Sequence, residues 1–276
     1  MDLDHVALAT RDVRDALDVL VGELGGTVLF GGNSVGFRPM QLRLGDATGG
    51  MNIELLEPWD TERNDFLERF VARHGAGPHH LTFKVDDLAA TLERVHSAGY
   101  RPINVDLSDP NWKEAFLHPR EAHGTVVQLA EARGDWGTLA DQIDRSRRKG
   151  ADGHPRWWPD PPPRGDRAGF LRRVVIATPS LPATLGFFAG LLQGDEVAGG
   201  EGWVELAWPG AGRVKLEDRP GRPPGVDCLE ADVVGDARSR SGPWPGRASC
   251  SSHASSRGCQ FSRSPRRARR RRRPRR

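Results

Sequence analysis

Pro78-His79-His80-Leu81-Thr82-Phe83-Lys84-Val85 is the stretch on which the fold turns. A β-strand sends alternate side chains to opposite faces. Here Leu81 and Phe83 can pack on one face while His80 points to the other. Asp86-Asp87 follows as a helix cap, and Leu88, Leu92 and Val95 recur at helical spacing up to Gly99. Strand-like runs follow near Arg101–Val105, Glu114–Leu117 and Thr125–Ala130, giving strand, helix and three strands. The same plan opens the chain. Leu3–Ala9 reads as a strand, Asp12–Leu24 as an amphipathic helix closed by Gly25-Gly26, and Thr27–Phe30, Gly36–Leu44 and Met51–Glu57 as three strands. Each unit begins and ends on a strand with one polar, metal-competent residue among apolar ones: His5 and Glu54, then His80 and Gln128.

The plan starts a third time after a Pro-rich stretch. Residues 132–168 contain Trp157-Trp158-Pro159-Asp160-Pro161-Pro162-Pro163, which continues neither a helix nor a central strand. Helical turns around Trp136–Arg147 precede it. Leu171-Arg172-Arg173-Val174-Val175-Ile176-Ala177-Thr178 then lines up with Leu3-Asp4-His5-Val6-Ala7-Leu8-Ala9-Thr10. Leu181–Leu192 is its helix, and Gly202–Trp208 and Gly212–Leu216 are strands. Gly225–Val233 opens a fourth unit that the sequence does not complete. The expected organisation is a complete domain over 1–131, a linker over 132–168, a partial, degenerate domain over 169–234, and a tail over 235–276.

The tail distorts the composition. The net charge is +3, but Asp236–Arg276 holds fourteen Arg and one acidic residue, so the body is acidic. Its Ser, Arg, Pro and Gly cannot build a core, and the segment is expected to be disordered. An Arg/Ser/Pro/Gly run where a fourth unit should continue is what a GC-rich gene yields when read out of frame. The alternative is an arginine-rich arm that meets phosphate backbones non-specifically, the one route to nucleic acid in this chain. Three cysteines make no disulfide framework, and Met1-Asp2-Leu3-Asp4-His5 lacks a signal-type lead. No apolar run reaches membrane-span length. A cytoplasmic protein with no membrane partner is the expectation.

These motifs together resemble the vicinal oxygen chelate superfamily of glyoxalases, bleomycin-resistance proteins and dioxygenases. Within it the first domain is most similar to methylmalonyl-CoA epimerases. The resemblance rests on Leu3–Ala9, Ile53-Glu54-Leu55-Leu56-Glu57-Pro58, Gly77–Leu88, Phe116-Leu117-His118-Pro119 and His123–Leu129. It implies an α+β fold in which paired βαβββ modules curl a mixed sheet into a cup around a metal. It also implies that each module supplies one ligand from its first strand and one from its last: His5, Glu54, His80 and Gln128. Imidazole and carboxylate donors without thiolate suit a divalent Co, Zn, Mn, Ni or Fe ion rather than a structural zinc site. The implied activity is an isomerase, epimerase or lyase that stabilises the enediolate of an α-acidic carbonyl compound or CoA thioester. Glu54 is the candidate base. Alternatives are an extradiol-type non-haem iron dioxygenase and a metal-free protein that sequesters a ligand in the cup. The superfamily commonly pairs domains, which leaves a homodimer or pairing within this chain.

The sequence also departs from the pattern. Methylmalonyl-CoA epimerases usually end the last strand with Glu, where Gln128 stands. Gly31–Arg38 lacks the acidic residue often proposed as a base. In the second domain Arg173, Lys215 and Cys228 occupy the positions matching His5, Glu54 and His80, and cations there repel a divalent ion. His79 is expected to point away from His80. His118 and His123 are expected to serve loop structure or substrate contacts, and Lys84 and Arg43 to be solvated.

Overall fold

The computed structural model describes residues 1–134, 137–153 and 156–234, with the backbone of two strands beyond, Ala248–His253 and Ser256–Ser262. The first module is β1 (Asp2–Ala9), α1 (Val13–Leu17, continued by a π-helical turn over Asp18–Glu23), β2 (Thr27–Gly31), β3 (Gly36–Gly45) and β4 (Gly50–Trp59). A helix α2 (Phe66–His74) leads to the second module: β5 (Gly77–Lys84), α3 (Leu88–Ser97), β6 (Ile103–Asp106), β7 (Trp112–Leu117) and β8 (Val126–Ala132). The strands form one mixed sheet in the order β2-β3-β4-β1-β5-β8-β7-β6. β1 and β5 lie antiparallel at its centre, each flanked in parallel by the last strand of its own module. Both ends of each module therefore meet at the middle, where His5, Glu54, His80 and Gln128 sit.

The modules are closed by the same device. Glu57 on β4 accepts the Val13 N–H at 2.9 Å, and Glu131 on β8 accepts the Leu88 N–H at 3.0 Å. Each carboxylate satisfies an otherwise orphan donor at the start of its module's helix. One face of the sheet is apolar: Val6, Leu8, Ile53, Leu55, Leu81, Phe83, Val127 and Leu129 are all buried in one core with α1 and α3. The other face carries the polar cluster.

After α4 (Leu139–Lys149), the second unit runs β9 (Ala168–Thr178), α5 (Leu181–Leu185, continued by a π-helical turn over Gly186–Leu191), β10 (Asp195–Gly200), β11 (Trp203–Ala207), β12 (Arg213–Asp218) and β13 (Gly225–Val234). These form a second open sheet, β10-β11-β12-β9-β13, and the backbone strands β14 (Ala248–His253) and β15 (Ser256–Ser262) extend it through β15. The rest of the tail, and Trp136, lie outside the described residues. The first unit's α+β curled mixed sheet is as expected; the second sheet has the same strand order on one side.

Two elements escaped the sequence reading. α2 is short, with only Leu67 and Val71 as its fully buried pair, yet it carries Phe66 and Phe70 onto the polar face of the sheet. β10 is exposed along its whole length and is held by pairing with β11 alone, so no apolar alternation announces it. The two sheets share a core. Phe83 meets Trp208 with ring centroids 5.2 Å apart, and Phe187 meets Tyr100 and His123 at 5.3 Å each. The Pro-rich segment also packs down: Asp152 bridges Phe30, Trp158 is buried beside Gly31, and Arg38 lies between the Trp59 and Trp157 rings. A side chain at Gly31 would collide with Trp158, which explains the glycine there. Among the described residues no helix is long and apolar enough to cross a membrane.

Candidate metal centre

His5, Glu54 and His80 converge. One ligand atom from each lies within 4.8 Å of the other two. Glu54 Oε2 is 3.4 Å from His5 Nε2 and 3.8 Å from His80 Nε2. Both imidazoles are buried, and the Glu54 side chain is 14% exposed. The register produces this convergence: Ala7 pairs with Glu54 on one side and with His80 on the other, so the two side chains flank β1 next to His5.

The surrounding bonds orient each candidate ligand. His5 Nδ1 lies 2.7 Å from Asp4 Oδ2, which directs Nε2 to the centre, a common arrangement behind a metal-ligating histidine. Lys84 Nζ holds the other Asp4 oxygen at 2.8 Å. Burial raises the cost of charge on Asp4, but the bond and charge of His5, with Lys84, win and hold it at about 2. Burial likewise opposes an imidazolium at His5, yet the carboxylates of Glu54 and Asp4 outweigh it and lift His5 to about 9. His80 is the opposite case: burial first, then its His79 and His5 neighbours, keep it neutral well below the ordinary histidine range.

Gln128 joins through Thr82. The fully buried Thr82 hydroxyl donates to Gln128 Oε1 at 2.6 Å and lies 2.9 Å from His5 Nε2. Gln128 Nε2 donates to Glu114 Oε2 at 2.7 Å, and the Trp112 indole N–H donates to the same oxygen at 2.8 Å. Gln41 Nε2 is 3.2 Å from His5 Nδ1. Thr82 escaped the sequence reading, although its place two residues beyond His80 on one strand face was a signal for it. Glu114 and Gln41 lie on other strands and become neighbours only through pairing.

Two β-bulges decide the finer geometry. Asp4 falls at the register shift between Leu3 and His5, and His79 at the shift opposite Ala7 and Leu8. A bulge re-aims side chains that strict alternation would send away. His79 therefore does not point away from His80: its Nδ1 is 2.8 Å from His80 Nδ1, and Phe66 and Phe70 of α2 pack against its ring. Burial, and then the charge of His74, lowers His79 to about 4. This partnership on Nδ1 leaves His80 Nε2 facing Glu54, buried and without a hydrogen-bond partner. Such an orphan costs about 1–3 kcal/mol. A ligand position removes that cost, so the donor set fits a divalent metal.

The remaining candidates lie elsewhere. His123 contacts Thr184 and Phe187 of the second unit, and His118 accepts the Arg120 N–H in its own loop. Lys84 is paired with Asp4. Arg43, expected to be solvated, is only 4% exposed; it donates to Asp46 and Gly49 carbonyls and to Asn52, and burial lowers it to about 10.

The second sheet repeats the register with different chemistry. Val175 pairs with Lys215 and Cys228 as Ala7 pairs with Glu54 and His80, and Arg173 faces Glu230 as His5 faces Thr82. Arg173 Nε donates to Glu230 Oε2 at 2.6 Å, and its Nη1 bonds Glu205. A guanidinium between two carboxylates occupies this cup. Burial pushes the Cys228 thiol up to about 12, so no thiolate is on offer. Among the described residues, the first sheet holds the one histidine-containing donor cluster.

Fold and donor cluster define the class, a curled mixed sheet of βαβββ modules with metal-competent side chains where the module ends meet. Residues 4–116 match the family model described as the Glyoxalase/Bleomycin resistance protein/Dioxygenase superfamily, so the resemblance carried by the sequence motifs is shown over those residues. A mitochondrial methylmalonyl-CoA epimerase of Dictyostelium discoideum is 28% identical over 137 residues, 47% of this chain and 77% of that protein. An uncharacterized protein of Bacillus subtilis (strain 168), YqjC, is 29% identical over 135 residues, 48% of this chain and 94% of its own length. Among solved structures, methylmalonyl-CoA epimerase from Mycobacterium tuberculosis aligns at 27% identity with a TM-score of 0.43, covering 49% of this chain and 89% of that one.

Proposed function

We propose that residues 1–131 form a metal-dependent enzyme of the isomerase, epimerase or lyase kind, acting on a small carbonyl or acyl-CoA substrate with an acidic α-proton. One observation carries the reading: three ligand atoms from His5, Glu54 and His80 meet within 4.8 Å, one of them the orphaned His80 Nε2. Gln128 is the proposed fourth ligand. A divalent ion held by these residues would supply Lewis-acid stabilisation of negative charge on a carbonyl oxygen.

The chain's own residues would do the rest. Glu54, largely shielded from water between two imidazoles, is the proposed proton acceptor. Asp4 and His79 hold His5 and His80 in the tautomer and ring orientation the centre needs. Phe116, with its ring 6.2 Å from that of His80, gives the substrate an apolar wall and excludes water from one side. The similarity to methylmalonyl-CoA epimerases favours an acyl-CoA. The partial unit, residues 169–234, is proposed as a non-catalytic partner that supports the first through the shared core.

Elemental mass spectrometry of the purified full chain tests the centre. About one divalent ion per chain is expected, and none in His5→Ala combined with His80→Ala. Wild-type protein that stays metal-free after growth in cobalt, zinc or manganese refutes the enzyme reading. Exchange of the α-proton of methylmalonyl-CoA in D2O tests the substrate; no exchange by metal-loaded protein removes the acyl-CoA and leaves the centre standing.

A further inference from the structure

We infer that Glu114 is a positioning residue that locks Gln128 into the centre by its amide oxygen, and so replaces from behind the charge a ligand carboxylate would have carried. The inference rests on the metal reading above. A glutamine amide has two nearly isosteric ends, of which only the oxygen is a useful ligand. Something must decide which end faces inward.

Glu114 decides it. As a carboxylate it can only accept, and its Oε2 lies 2.7 Å from Gln128 Nε2. That bond turns the amide nitrogen outward and Oε1 inward, where Oε1 meets the Thr82 hydroxyl that also touches His5 Nε2. Glu114 is itself held, since the Trp112 indole, a donor with no acceptor, fixes the same Oε2 at 2.8 Å. The strand register makes the arrangement a built one. Phe116 is directly opposite Gln128 and Glu114 opposite Ala130, so Glu114 reaches Gln128 diagonally across one face of the β7–β8 pair. A carboxylate hydrogen-bonded to the outer end of an amide polarises it and places negative charge on the ligating oxygen.

Cobalt(II) titration of the full-length protein, followed by visible absorption, gives the test without any turnover assay. Four proteins are compared: wild type, Glu114→Gln, Gln128→Glu, and the double variant. With Gln128 in place, Glu114→Gln should weaken cobalt binding roughly 10- to 100-fold, because a glutamine in place of Glu114 can present either end to its neighbour. In the Gln128→Glu background the same substitution should strengthen binding. Two carboxylates at hydrogen-bond distance repel, and the double variant rebuilds the amide–carboxylate pair with the charge on the inside. The sign reversal is the signature, since a residue acting only on folding changes affinity in one direction in both backgrounds. Equal effects in the two backgrounds, or no effect of Glu114→Gln on wild-type cobalt affinity, overturn the inference alone. Wild-type protein that takes up no cobalt overturns the functional reading as well.

Discussion

Thr82 links His5 to Gln128, the proposed ligands of the two modules, and replacing it with Val isolates what its hydroxyl does. The residue is fully buried, donates to Gln128 Oε1 at 2.6 Å and touches His5 Nε2 at 2.9 Å. Valine keeps the branched shape and the strand preference, so little packing is lost. What is lost is a hydrogen-bonding oxygen between two buried polar groups. Leaving such groups unsatisfied costs about 1–3 kcal/mol, which for a chain of this size lowers the melting temperature by roughly 2–4 °C per kcal/mol. The expected result for Thr82→Val without metal is that full drop, read by thermal unfolding in the presence of a chelator. Thr82→Ser keeps the hydroxyl and should lose about 0.8 kcal/mol for its missing methyl. Metal-loaded Thr82→Val should recover part of the difference, because His5 Nε2 and Gln128 Oε1 then have a common partner. If metal-free Thr82→Val melts with the wild type, or no lower than Thr82→Ser, the hydrogen-bonded link between modules carries no stability and the reasoning fails.

Two further perturbations follow from the fold. Glu131 is held at about 2, first by the Leu88 N–H and then by Lys113 and Arg133, against an ordinary value of 4.5. A depressed carboxylate stabilises the fold above its unfolded value and loses that contribution as pH falls toward its folded value. Urea unfolding of wild type and Glu131→Gln should therefore differ at about pH 6 and converge as pH falls from 4.5 to about 2; a constant difference contradicts this. Phe187 of the second unit is 1% exposed and packs on Tyr100 and His123 of the first. Phe187→Ala should cost about 3–5 kcal/mol and shift one common unfolding transition. A first-unit transition left unmoved would show that the two sheets do not share a core.

The second cup makes a chemical comparison within one chain. Where His5 meets Thr82 in the first sheet, Arg173 meets Glu230, and the position paired with Lys215 is Glu205. The guanidinium supplies internally the positive charge that the first cup is proposed to take from an ion. The same two bulge positions recur as well, at Arg172 and Asp227, where Asp227 holds Arg219 and Arg222. The backbone plan is thus shared, while in the second sheet the side chains at these positions form ion pairs.

Local pattern alone picked out the residues proposed for the centre. The alternation around His5, Glu54, His80 and Gln128, and the strand–helix–strand order, are properties of short segments, because strand and helix periods are set by neighbours in the chain. Their resemblance to a known superfamily then implied one cup. What pattern could not contain was anything set by register between strands. The bulges at Asp4 and His79 arise where two strands disagree by one residue, and they bring Asp4 to His5 and His79 to His80. Glu114 reaches Gln128 across a strand pair, Gln41 reaches His5 across β4, and α2 closes over His79 through only a few apolar contacts. The sequence by itself determined which residues could hold a metal. Tertiary structure decided which atoms face one another, because hydrogen bonds between distant strands, not local periodicity, orient each ring and amide.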